Sequence, residues 1–174
     1  MRLLLCAVLV VIACGPSVSM PDGGAGAFDS GFVEPDAGKP DAGALDHSAA
    51  GLIAFVKSGR YQSWRAEAAV HASTGPHGGN VRTWVNDVLY ASLKAGNTTH
   101  PPGSVAVKEL YGTSTTQVTG HAIDAKDAQG TWFFLEAFAP SYASPYYFSG
   151  TSSFCAGCHS AGPDFYAGKL LNLP

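Results

Sequence analysis

Apolar and polar positions follow three regimes along the chain. Leu3 to Ile12 is a nearly unbroken apolar run behind a short positive start, Met1-Arg2. A helix of that length spans about 15 Å, half of a bilayer's hydrocarbon thickness, so the run reads as a signal-peptide core and not as a membrane span. From Gly15 to Asp46 large apolar residues almost vanish. Gly, Pro, Ala, Ser and Asp take over, with the repeat Pro35-Asp36-Ala37-Gly38-Lys39-Pro40-Asp41-Ala42-Gly43. Such a stretch cannot bury enough surface to offset its conformational entropy, which makes it a flexible tether.

From His47 onward periodic patterns return. Ser48 can cap a helix through Leu52, Ile53, Phe55 and Val56, apolar on one face, that ends near Gly59. Ala66 to His71 fits neither period, and His71 to Asn80 is dense in turn residues. Val81 to Val85 predicts a strand, and Asp87 to Lys94 a helix closed by Gly96. Beyond Pro101-Pro102-Gly103 come three strands: Ser104–Tyr111, Gln117–Ala125 and Thr131–Phe138. Turns at Thr113–Thr116 and Asp127–Gly130 join them into an antiparallel meander. Ser141 to Ser153, rich in Tyr, Ser and Pro, reads as irregular. The pattern predicts an α+β fold, an antiparallel sheet with flanking helices.

Composition assigns the rest. The chain has 174 residues, which suits a signal peptide over 1–13, a tether over 14–46 and one domain over 47–174. The net charge is −3, and six of the 13 acidic residues lie in the tether. The domain itself keeps eight basic and seven acidic residues, a near-neutral balance that argues against a nucleic-acid partner. The four cysteines lie at the ends, Cys6 and Cys14, then Cys155 and Cys158, which is not the spread of a disulfide framework. Val11-Ile12-Ala13-Cys14-Gly15 resembles a bacterial lipoprotein signal, in which the cysteine is lipidated and becomes the first residue, although Val11 stands where Leu is commonest. The alternative is an ordinary secretory signal with an incidental cysteine. With Cys14 lipidated, the domain would face the periplasm from the cell envelope, held to a membrane through the lipid alone.

Cys155-Ala156-Gly157-Cys158-His159 is the C-x-x-C-H attachment sequence for c-type haem. Two thiols at this spacing add across the two vinyl groups of one haem, and the adjacent histidine becomes an axial ligand of the iron. A redox disulfide needs no such histidine and belongs in a β-α pattern absent here. A zinc site would have to borrow ligands from elsewhere. Covalent haem attachment happens outside the cytoplasm, in keeping with the export signal. The only methionines are Met1 and Met20, so the distal methionine of many electron-transfer cytochromes is missing from the domain. The other histidines are His47, His71, His77, His100 and His121. His121, in a strand, is the first candidate for a sixth ligand, although a surface or hydrogen-bonding role is the commoner fate of a histidine. The remaining reading is a five-coordinate iron with an open face for a small molecule.

An ordered set of segments resembles the cytochrome P-460 family, including its relative cytochrome c′-beta. The segments are Gly75-Pro76-His77-Gly78 with Val81-Arg82 and Asn86; Pro102-Gly103-Ser104-Val105-Ala106-Val107-Lys108-Glu109; Val118-Thr119-Gly120; Trp132; and Phe154-Cys155-Ala156-Gly157-Cys158-His159 with Asp164. The resemblance implies a mainly antiparallel sheet, a homodimer and one five-coordinate haem c held by Cys155 and Cys158, with His159 proximal. It also implies hydroxylamine oxidation in one branch, with electrons passing to a periplasmic redox partner, or nitric oxide binding in the other. In the oxidising branch a lysine is bonded to the haem ring. Lys108 is the nearest strand lysine; Lys126, before a turn, reads as solvated. Period-two alternation sets Lys108 opposite Val105, Val107 and Tyr111, so no cross-link is expected if that apolar face lines the haem. Asp124 is the candidate distal carboxylate for proton transfer, its plainer reading being a strand-end charge. Phe133, Phe134, Phe138, Tyr146 and Tyr147 could wall a haem pocket or serve as core. The alternative function is a bis-histidine electron-transfer lipoprotein.

Overall fold

Ser48 sits in extended backbone and its hydroxyl accepts the Gly51 N–H, which starts helix α1 (Ala49–Ser58). Gly59, at φ 69°, closes it in the left-handed region and donates its N–H to the Val56 carbonyl, a geometry glycine adopts without steric cost. The computed structural model describes residues 45–143, 147–149 and 154–166. The signal segment, Cys14, the tether to residue 44 and Tyr146 lie outside the described residues.

A 3₁₀ turn (Arg60–Ser63) leads into two-residue strands β1 (Arg65–Ala66) and β2 (His71–Ala72), then β3 (Asn80–Val85). Helix α2 (Asp87–Lys94) follows, its N-terminus capped by the Asn86 side chain on the Leu89 N–H. The central strands are β4 (Val105–Gly112), β5 (Gly120–Lys126) and β6 (Trp132–Phe138), with a short β7 (Tyr147–Ser149) beyond them. Helix α3 (Phe154–His159) and a 3₁₀ turn (Pro163–Phe165) complete the described chain. The fold is α+β: one seven-stranded antiparallel sheet in the order β1-β3-β4-β5-β6-β7, with β2 also on β3, and a few short helices.

The expected meander is present. β5 starts at Gly120 instead of Gln117, because the Ser114 hydroxyl takes the N–H groups of Thr116 and Gln117 and holds that stretch as a turn. β7 lies inside the segment read as irregular.

Register divides the sheet into two faces. Val105 pairs with Ala125, Val107 with Ile123 and Glu109 with His121, while Ile123 meets Leu135 and His121 meets Ala137. This first face carries the main core, on which α1 lays Leu52, Phe55 and Val56, with Tyr61 beside them. Burying each of these large side chains stabilises the fold by roughly 1.5–3 kcal/mol. The second face carries Ala106, Lys108, Ala122, Asp124, Phe134 and Glu136, in rows set by the pairs Ala106–Asp124, Lys108–Ala122, Ala122–Glu136 and Asp124–Phe134. There Val85, Leu89, Ala106 and Tyr166 form one cluster beneath α2, and Trp132, Phe134 and Ala156 form another beneath α3.

Candidate metal centre

Helix α3 holds the C-x-x-C-H sequence on little more than one turn, so Cys155 and Cys158, three residues apart, share a side of it. Both thiols are free. Ala156 packs into the Trp132–Phe134 cluster with Cys155 at its edge. Phe154 is 72% exposed and stacks on Tyr147 at 5.5 Å.

His159 points into the second face. Its ring centre is 4.8 Å from that of Phe134, and its Nδ1 is 3.3 Å from Asp124 Oδ2, with side-chain exposures of 12% and 15%. The His77 ring centre lies 6.3 Å from that of His159. His77 Nδ1 is itself 2.8 Å from Glu136 Oε2. Thus two histidines sit side by side, each with a carboxylate at Nδ1. Nδ1 pairing of this kind is the usual outer shell of a ligating imidazole, because it fixes the tautomer that presents Nε2.

A second constellation fastens the segment after the motif. Asp164, at φ 49°, accepts from Lys126 Nζ at 2.6 Å and from the His100 N–H at 2.7 Å. Lys126 Nζ also donates to the His100 carbonyl at 2.8 Å and lies over the Trp132 ring. Burial pushes the Asp164 carboxyl up, but the Lys126 ammonium and the His100 N–H outweigh it, and the group ends below its ordinary 3.8. His100 is fully buried, with Nδ1 on the Ser92 hydroxyl. Burial lowers its pKa, against the pull of Asp164.

These positions correct several expectations. Asp124 is no strand-end charge: it lies within β5, against His159. Lys126 is not solvated but buried in the Asp164 pair. The Val105–Val107–Tyr111 face does not meet the motif, since α1 covers it. Lys108 shares the second face with Asp124 and Glu136, so the premise that set it away from a haem fails. Phe134 lines the motif, whereas Phe133 is on the first face against His47 and Phe148, and Phe138 and Tyr147 are substantially exposed.

His121 also sits on the first face, in a buried polar network. The Tyr61 hydroxyl donates to Glu109 Oε1 at 2.9 Å and lies 2.7 Å from His121 Nε2. With the tyrosine proton on Glu109, Nε2–H must donate to Tyr61, and His121 Nδ1 accepts from Tyr142 at 2.7 Å. Burial pushes His121 below its ordinary 6.5, in keeping with a neutral ring, and Glu109 offsets this only in part. Tyr111 donates to Glu109 as well, and its phenol is pushed up to about 12 by burial and that carboxylate. Both ring nitrogens of His121 are thus engaged across the sheet from the motif. Glu109 was the available sequence signal, a carboxylate in step with Val105, Val107 and Tyr111 on the face that became the core.

Among the described residues, no group of three or more His, Cys, Asp or Glu is arranged to hold a metal ion by itself, and no helix is long and apolar enough to cross a membrane. The chain matches no protein-family model and no curated protein. The donor set nevertheless fits a haem c. It offers two free thiols on one helical turn, an imidazole with a carboxylate at Nδ1, and an aromatic and small-residue floor of Trp132, Phe134 and Ala156.

Proposed function

We propose that this protein is an exported lipoprotein carrying one covalently attached haem c, of the cytochrome P-460 type, that binds or oxidises small nitrogen compounds such as hydroxylamine or nitric oxide. One observation carries the reading: Cys155, Cys158 and His159 share a helical turn, and His159 meets Asp124 through Nδ1. A haem there would supply a redox-active iron able to take a small ligand. Cys155 and Cys158 would hold it and His159 would ligate its iron. Phe134 and Trp132 exclude water on the side where Ala156 packs. Lys108, Glu136 and His77 give this region charged and proton-carrying groups, the resource a hydroxylamine oxidation needs. A periplasmic redox partner would accept the electrons, and a homodimer with Cys14 as its lipid anchor completes the proposal.

The bis-histidine reading gains a new candidate. His77, beside His159 and tied to Glu136, replaces His121 as the sixth ligand to test. The deciding experiment for the function is the ferrous spectrum with and without nitric oxide. A high-spin iron that binds nitric oxide rapidly supports the proposal. A low-spin iron that becomes high-spin in His77→Ala supports electron transfer.

A further inference from the structure

The sequence offers Asp124 as a candidate distal carboxylate, its plainer reading being a strand-end charge, but the carboxylate lies 3.3 Å from Nδ1 of His159 itself, with both side chains nearly enclosed. β5 fixes the aspartate from both sides, through the pairs Asp124–Ala106 and Asp124–Phe134, and Phe134 packs against the histidine ring. The imidazole is therefore gripped between a carboxylate and an aromatic ring that occupy adjacent strands of one rigid sheet.

We infer that Asp124 is a positioning residue that makes His159 an unusually strong axial donor, so that haem iron bound here is held preferentially in the ferric state. The inference rests on the haem c reading. Partial negative charge at Nδ1 passes through the ring to Nε2 and raises its basicity, which favours the more highly charged iron. A sheet strand holds this carboxylate where a loop would let it drift, and its partial burial keeps solvent from screening it. The effect is the same whether the sixth position is open or taken by His77.

The test uses the full-length exported protein. Covalent haem is verified first, by the pyridine haemochrome spectrum of the denatured wild-type protein. Midpoint potentials are then compared for wild type, Asp124→Asn and Asp124→Glu. The iron–histidine stretch is read by resonance Raman directly after photolysis of the ferrous carbon monoxide complex, which exposes it whatever the sixth ligand. Removing an outer-shell partner of this kind costs roughly 10–100-fold in metal affinity or activity. Asp124→Asn should lose at least tenfold of the ferric preference, a rise of about 59 mV for a one-electron couple, and its stretch should move to lower frequency. Asp124→Glu, which keeps the charge, should recover part of both. A merely structural aspartate would change haem yield or melting temperature and leave the potential and the stretch unmoved. That result, with covalent haem intact, overturns the inference alone. Should Asp124→Asn fail to fold, the wild-type stretch decides: a high frequency upholds the inference and a low one overturns it. A wild-type protein without covalent haem overturns the inference and the functional proposal together.

Discussion

Removing Asp164 should uncouple the segment that follows the C-x-x-C-H motif. Lys126 Nζ has two oxygen partners, Asp164 Oδ2 at 2.6 Å and the His100 carbonyl at 2.8 Å, and only 6% of its side chain is exposed. In Asp164→Ala the ammonium keeps one neutral acceptor, and the His100 N–H loses its partner as well. Breaking a buried pair costs about 3–5 kcal/mol. Asp164 retains 15% exposure, so water can partly replace it and the lower end, about 3 kcal/mol, applies. For a domain of this size that is a fall in Tm of roughly 10 °C. Lys126→Met with Asp164→Ala removes both charges and should recover most of the loss, giving a coupling of about 2 kcal/mol in a double-mutant cycle. Because the Asp164 pKa is depressed, its contribution is complete above the ordinary 3.8 and disappears as the pH falls through the lowered value. Urea unfolding of wild type, both single variants and the double variant at pH 7 and at low pH measures all of this. Single variants within 0.5 kcal/mol of wild type, or a coupling near zero at pH 7, would refute the buried-latch argument.

Other outcomes follow from the same geometry. His121→Ala should leave the haem spectrum unchanged, since the ring is engaged by Tyr61 and Tyr142 on the far face of the sheet; a change of spin state would contradict that placement. Because the folded His121 and His100 pKa values lie below 6.5, the unfolded chain binds more protons there, and stability should decline as the pH drops below 6.5. An unfolding free energy flat from pH 7 to 5 would count against it. A lysine–haem bond, if formed, should involve Lys108 and not Lys126, whose ammonium is committed to Asp164; tryptic mass spectrometry of the haem peptide reads this, and a Lys126 adduct is the contrary result. Cys14→Ser should release the protein from membranes with the domain folded, and unchanged fractionation would remove the lipid anchor.

Local signals were legible in the sequence, and long-range pairings were not. α1 and α2 announce themselves by capped amphipathic runs, β4 by alternation, β6 by its aromatic residues, and the C-x-x-C-H run by five contiguous residues. β1, β2 and β7 are too short to show any period. Alternation correctly opposed Lys108 to Val105 and Val107, but helices cover both faces of the sheet, so apolarity alone could not say which one meets the motif. Asp124 and Lys126 looked like ordinary strand charges because their partners, His159 and Asp164, come far downstream. Glu109 and His121 are buried together only because β4 and β5 pair in that register and Tyr61 reaches them from the turn after α1.

The proposed function depends first on covalent haem at Cys155 and Cys158. Haem-dependent peroxidase staining on a denaturing gel of protein exported alongside the haem-attachment machinery tests it most directly. The wild-type protein should give a stained band that disappears when Cys155→Ala and Cys158→Ala are combined. A wild-type protein that folds, carries both free thiols and shows no stain would contradict it.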